Sequence, residues 1–317
     1  MILETIHSPA DVKALDRSEL PVLCGELREF LIQNVSQTGG HLASNLGAVE
    51  LTVAIHRVFD TASDRLVFDV GHQCYVHKAL TGRQELFSTL RQFGGLSGFP
   101  KPRESQHDAF IAGHASNSVS VALGMARART LAHEDHSVLA LIGDGALTGG
   151  LAYEGLNDAG ASGEPLIVIL NDNGMSINPN VGAMPTHLTH LRSKPAYYHF
   201  KKWYRSLFGR SPMKNPLYRF TYLGPIDGHD LNRLCDVLQW AKELRCPVVV
   251  HVNTIKGKGY PFAEKDPGKF HGVAPFDPQT GILKKPSGER FSSVFGNALA
   301  ACAAEDGRVC AITAAMA

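Results

Sequence analysis

Asp144 and Asn173 are the residues whose types and spacing point most directly to chemistry. Asp144 lies in Gly143-Asp144-Gly145 and Asn173 in Asn171-Asp172-Asn173. Each triplet follows a short apolar run, Val138–Ile142 and Pro165–Leu170. Small, glycine-rich residues separate the two, as in a βαβ unit. Adjacent parallel strands lie about 4.8 Å apart, so groups at their C-terminal ends can share one ion. A carboxylate, an amide oxygen and a backbone carbonyl are hard oxygen ligands, suited to Mg²⁺ or Ca²⁺. Magnesium usually keeps positions for phosphate oxygens. Gly145, Gly149 and Gly150 allow close backbone approach, and a helix N-terminus beside them favours anions. Singly, Asp144 reads as a helix cap and Asn173 as a turn residue. Together, after two apolar strands, they point to a divalent cation holding a diphosphate.

Other polar groups are less specific. His41, His72, His77, His114, His229 and His271 sit beside glycine or in expected loops. None has the close Cys or i,i+4 His spacing of a zinc site. Each is either structural or, for Gly71-His72 and Gly113-His114 in particular, a donor to phosphate or a carbonyl. Lys256-Gly257-Lys258-Gly259-Tyr260 follows the last expected strand and reads equally as a phosphate holder or a solvated loop. The basic and aromatic stretch Tyr197–Arg219 lacks an RNA-binding motif, and the net charge is only +1. Neither nucleic acid nor an anionic membrane is therefore an expected partner.

These residues need a sheet to position them. The chain has 317 residues, 44% of them hydrophobic, enough for a large core. Strands are expected at Leu66–Phe68, Val138–Ile142, Pro165–Leu170 and Pro247–Val252, with helices between them. The predicted fold is α/β, a doubly wound parallel sheet with helices on both faces. Ser8-Pro9 reads as an N-cap and first helical position. Leu20, Leu23, Leu27, Phe30 and Leu31 mark one helical face, and Leu46 to Phe59 reads as a further helix. Ser116 to Leu131 reads as a helix of small residues packed closely on a neighbour. Arg83–Phe110 and the proline-rich 174–221 read as loops. Asp230 is expected to cap a helix carrying Leu231, Leu234, Leu238 and Ala241. Composition divides the chain into a cofactor-binding domain over 1–268, a linker over 269–287, and the opening of a second domain over 288–317. That last piece is expected to hold a helix, Ser292–Ala304, and a strand, Val309–Thr313. The six scattered cysteines form no Cys-x-x-Cys pair, and no secretory signal or membrane-length apolar run is visible. Reduced thiols and a cytoplasmic location are expected.

The two triplets resemble the thiamine-diphosphate fingerprint of transketolase-like enzymes. Further segments narrow the resemblance to the 1-deoxy-D-xylulose-5-phosphate synthase family. They are Gly39–Gly47, Asp69-Val70-Gly71-His72-Gln73, Leu80-Thr81-Gly82-Arg83, Gly98–Lys101, Gly224–Asp230, Lys256–Tyr260, Phe270-His271-Gly272-Val273 and Ala311–Met316. The resemblance implies condensation of pyruvate with glyceraldehyde 3-phosphate and loss of CO₂, feeding isoprenoid, thiamine and pyridoxal synthesis. It implies that Asp144, Asn173 and the Met175 carbonyl hold Mg²⁺. It implies that His72, Gly113, His114, Ala115, Gly145, Ala146, Asn173 and Tyr260 contact thiamine diphosphate. His41 and His271 would face the reacting carbon.

Three departures accompany the resemblance. The family's pyrimidine-binding and third domains follow the point where these residues stop. With them go the glutamate that activates the cofactor and the basic residues for the aldehyde phosphate. The segment 183–221 looks shorter than in relatives, and Ala115 stands where many have serine. The chain is therefore expected to be inactive without a complementary C-terminal half, and to work as a homodimer or heteromer. Alternatives are a split transketolase-like subunit for another sugar, or a non-catalytic cofactor-binding module.

Overall fold

The computed structural model describes residues 1–175, 220–284 and 291–312. Five strands form one parallel sheet: β1 (Arg65–Phe68), β2 (Val138–Gly143), β3 (Ile167–Asp172), β4 (Thr221–Asp227) and β5 (Val248–Asn253), in the order β1-β2-β3-β5-β4. Successive residues on a strand face opposite sides, and here each side meets its own helices. Leu139, Leu141, Ile167, Ile169, Val248 and Val250 enter one buried cluster, while Val138, Ala140, Ile142, Val168 and Leu170 enter the other. The first side carries α1 (Pro9–Ala14), α2 (Leu20–Thr38), α3 (Leu42–Gly47), α4 (Val49–Val58) and α5 (Tyr75–Leu80). The second carries α6 (Ser118–Leu131), then, after α7 (Asp144–Leu147), α8 (Gly150–Ser162). The helix α9 (Leu231–Glu243) returns to the first side. The doubly wound expectation holds.

Local signals explain many boundaries. Asp11 accepts the Ser8 N–H at 2.8 Å at the start of α1, and Asp230 accepts the Arg233 N–H at 3.0 Å at the start of α9. The small-residue helix α6 packs tightly on α8. A Cβ on Gly155 would lie 2.7 Å from Ser120 Oγ.

Some expectations need correction. The helix read over 46–59 is two helices, broken at Ala48, whose ψ of 12° departs from helical geometry. A strand that was not expected, β4, runs over Thr221–Asp227 through Gly224-Pro225, with a register irregularity between Leu223 and Ile226. Proline is tolerated there because β4 is an edge strand. The linker expected over 269–287 is, in its described part, packed on the core. Phe270, Val273 and Phe276 are buried, and Val273 bridges Gly40. Helix α10 (Pro261–Lys265) precedes this strap. The expected terminal helix is present as α11 (Phe291–Glu305), with Phe291 and Phe295 exposed. The described part of the strand expected after it, Val309–Ile312, pairs with no other described strand. The long connection expected over 174–221 lies outside the described residues from 176 to 219. Among the described residues, no helix is long and apolar enough to cross a membrane.

Candidate active site

The chemistry-bearing residues converge at the C-terminal ends of the parallel strands, where open α/β sheets bind ligands. Asp144 directly follows β2 and Asn173 directly follows β3, with Gly143 paired to Asn171 in register. The Asp144 carboxylate is buried and accepts backbone N–H groups of Asn173, Gly174 and Gly145. Burial outweighs these bonds and raises its pKa from the ordinary carboxylate value. Asn173 Oδ1 accepts the Met175 N–H at 3.1 Å, so the Asn173 side chain and the Met175 backbone share one tight turn. The two expected metal side chains are thus brought together with a carbonyl beside them. Among the described residues, no three His, Cys, Asp or Glu side chains cluster as a transition-metal site. A carboxylate with amide and carbonyl oxygens instead fits a hard cation.

The segment Gly113-His114-Ala115 is exposed and tied to this turn region. Ser116 Oγ donates to the Ala146 carbonyl at 2.7 Å, bringing 113–115 beside Gly145 and Ala146. Asp69, at the end of β1, accepts the Ser116 N–H at 2.7 Å and the Ser118 N–H at 3.0 Å. The Val70 N–H donates to the His114 carbonyl at 3.2 Å. Val70 and Ser116 hold left-handed φ values of 58° and 73°, which cost about 1–3 kcal/mol each and persist only where surroundings over-determine them. The Asp69 carboxylate supplies that restraint for Ser116. Gly71 is required next to them: its φ is 85°, and a Cβ would lie 2.6 Å from Pro100 Cδ.

Three imidazoles cluster in mutual contact beside this region. The ring centroids of His41 and His72 lie 5.3 Å apart, those of His41 and His271 5.6 Å, and those of His72 and His271 5.1 Å. Ser44 Oγ lies 3.1 Å from His72 Nε2 and 3.4 Å from His271 Nδ1. The paired backbone hydrogen bonds between Gly40 and Val273, 2.8 Å each, hold the His41 and His271 segments side by side. Asn45 is fully buried behind them. Its Nδ2 donates to the carbonyls of His41 at 2.6 Å and His72 at 2.8 Å, and its Oδ1 accepts the Tyr75 N–H at 2.8 Å.

Burial, reinforced by His271 and Arg91, lowers His41 to about 4. Burial and Lys256 lower His271 to about 4. Burial, with the neighbouring His41 and His271, holds His72 well below the ordinary histidine range. All three are neutral at pH 7. Because Ser44 has one hydroxyl proton, it donates to one of the two rings and accepts from the other. His72 Nδ1 is buried with no hydrogen-bond partner among the described residues. A buried ring nitrogen left unsatisfied beside this cluster fits an anionic ligand.

Lys256 is buried at the far side, where burial lowers it to about 8 and the nearby Asp144 opposes the shift. Its turn packs on α3, with the Gly257 N–H donating to the Ala43 carbonyl at 2.8 Å. Tyr260 closes the same turn. Its hydroxyl donates to the Pro278 carbonyl at 2.9 Å, and its ring packs among Phe262, Phe270 and Phe276. Sequence reasoning quoted Ser44, Asn45 and Asp69 within motifs but gave them no role, since each acts through residues distant in the chain.

A family model described as 1-deoxy-D-xylulose-5-phosphate synthase matches residues 3–219 and 215–254. The two pieces meet inside the segment that looked shorter than in relatives. The chain is 50% identical to the 1-deoxy-D-xylulose-5-phosphate synthase of Caldanaerobacter subterraneus subsp. tengcongensis, across 99% of this chain and 54% of that protein. It is 51% identical to the enzyme of the same name from Desulforudis audaxviator, with the same coverage. The aligned length of 339 residues exceeds the 317 of this chain, so these relatives carry residues with no counterpart in it. The chain spans about half the length of the curated relatives it matches. The fold is similar to that of Campylobacter jejuni transketolase (TM-score 0.64, 23% identity, 84% of this chain and 44% of that one). It is also similar to that of Leishmania mexicana transketolase (TM-score 0.61, 22% identity, 90% of this chain and 45% of that one). Fold and sequence agree, and the chain belongs to the 1-deoxy-D-xylulose-5-phosphate synthase family.

Proposed function

We propose that this chain supplies the diphosphate- and Mg²⁺-binding half of a 1-deoxy-D-xylulose-5-phosphate synthase site, acting on pyruvate and glyceraldehyde 3-phosphate. The observation that carries the reading is the convergence of buried Asp144 and the Asn173–Met175 turn with three neutral histidines at the C-terminal end of the sheet. When bound, thiamine diphosphate supplies an electron sink for decarboxylating carbonyl chemistry.

Asp144 Oδ, Asn173 Oδ1 and the Met175 carbonyl would hold the Mg²⁺. His72 Nδ1, the Gly113–Ala115 and Gly145–Ala146 backbones and Lys256 would bind the diphosphate end. Tyr260 would line the cofactor from the adjoining turn. An anion at His72 Nδ1 requires a proton there, so Nε2 accepts from Ser44. Ser44 then accepts from His271 Nδ1–H, which leaves His271 Nε2 with a lone pair able to take a proton. Neutral His41 can donate to an oxyanion developing at the substrate carbonyl. Residues 288–317 would open the adjoining pyrimidine-binding unit of the family.

Calorimetric titration of the purified chain with thiamine diphosphate tests this. Heat that requires Mg²⁺, and that disappears in Asp144→Ala, is the expected result. Absence of Mg²⁺-dependent binding to the wild-type chain, or normal binding by Asp144→Ala, overturns it.

A further inference from the structure

A polar chain crosses three strands and ends on the turn that carries Asn173. Tyr222 on β4 lies with its hydroxyl 2.6 Å from His251 Nδ1. His251 on β5 lies with Nε2 2.8 Å from Asp172 Oδ2 on β3. The other oxygen of that carboxylate, Oδ1, accepts the Gly174 N–H at 3.3 Å, and the Asp172 carbonyl accepts the Thr254 N–H at 3.0 Å. Asp172 and His251 are both buried. His251 interrupts the otherwise apolar run Val248–Val252. An apolar side chain would satisfy packing there, whereas a buried imidazole needs partners on both nitrogens. With a carboxylate at Nε2, the ring donates to Asp172 and accepts from Tyr222, so donors and acceptors alternate along the chain.

We propose that His251 is a positioning residue for the metal turn. Through Asp172, which shares the Gly174 amide with Asp144, it helps fix the direction of Asn173 Oδ1 and the Met175 carbonyl. The inference rests on the reading of those two groups as Mg²⁺ ligands. Partners that orient ligands from behind commonly account for roughly 10–100-fold in metal affinity.

The test uses the 317-residue chain with His251→Phe and His251→Gln. Gln can return an N–H to the Asp172 carboxylate, and Phe cannot. Two quantities are read: hydrogen–deuterium exchange at the Gly174 amide in the cofactor-free protein, and the Mg²⁺ concentration that half-saturates thiamine diphosphate binding. H251F is expected to speed Gly174 exchange and to raise the Mg²⁺ midpoint about ten-fold or more. H251Q is expected to recover most of both, and thiamine diphosphate affinity at saturating Mg²⁺ is expected to stay near wild type. If H251F does not fold, Asp172→Asn carries the same two readouts. Wild-type exchange and a wild-type midpoint in the folded variant overturn the proposal. If the wild-type chain binds no cofactor, the functional reading falls by itself, and Gly174 exchange still decides whether the relay holds the turn.

Discussion

Ser44 has the most leverage for its size, because one hydroxyl connects two of the three site imidazoles. Ser44→Ala removes the proton that sets their tautomers and leaves two ring nitrogens unsatisfied. A net hydrogen bond contributes about 1 kcal/mol, so thiamine diphosphate binding should weaken about five-fold, more if both rings reorient. Calorimetry at saturating Mg²⁺ checks this, and unchanged affinity would remove Ser44 from the site. The pair Asp144 and Asn173 was legible in the sequence because each follows its own apolar strand. The Lys256 turn was legible only as one of two readings, and the roles of Ser44 and Asn45 were not legible. Their bonds to His72 and His271 span 27 to 227 residues, and nothing local in the sequence announces such a meeting.

At the scale of elements, two substitutions probe why the helices sit where they do. Asp230→Ala removes the acceptor for the Arg233 N–H at the start of α9 and should cost about 1 kcal/mol, read as a lower urea midpoint. Gly155→Val places a branched side chain where a Cβ alone would come within 2.7 Å of Ser120 Oγ and 3.1 Å of Ser120 N. Forcing α6 from α8 should cost about 1–3 kcal/mol, and no loss of stability would contradict that packing. Strands β1, β2, β3 and β5 and the Asp230 cap were legible, because apolar runs and capping chemistry are local, whereas β4 was not. The strap after Lys269 was misread because its composition is that of a linker. Three apolar residues, Phe270, Val273 and Phe276, outweigh the glycines and lysines around them once they find the core. The break at Ala48 left no mark because alanine itself favours helix.

The whole molecule carries a buried ionic network behind the site. His56 Nε2 meets His77 Nδ1 at 2.9 Å, His77 Nε2 meets Asp108 at 2.9 Å, and Arg83 pairs with the same carboxylate at 2.8 Å. Lys78 pairs with Glu104, whose other oxygen accepts the Ser97 N–H at 2.9 Å. Burial lowers His77 to about 4 despite its bond to Asp108. Burial pushes Asp108 up, but hydrogen bonds from His77 and Arg83 hold it well below the usual carboxylate range. For His77 the unfolded chain binds the proton more readily. Its stabilisation is therefore complete above about pH 6.5 and lost as pH falls towards 4, on the order of 3 kcal/mol. The Asp108 contribution is lost lower still, below the ordinary carboxylate pKa of 3.8. Urea unfolding at about pH 7 and about pH 4.5 should show a steep loss in the wild type and a shallower one in His77→Gln.

The Asn45 amide has a consequence for how such a site changes over generations. Two of the three histidine-bearing segments, those of His41 and His72, share this one side chain. A change at this codon removes a hydrogen bond from both segments in a single step. Variation that retunes the reaction is therefore expected on residues that reach the histidines from outside, such as Phe99 at 5.8 Å from the His41 ring, and not at the pivot.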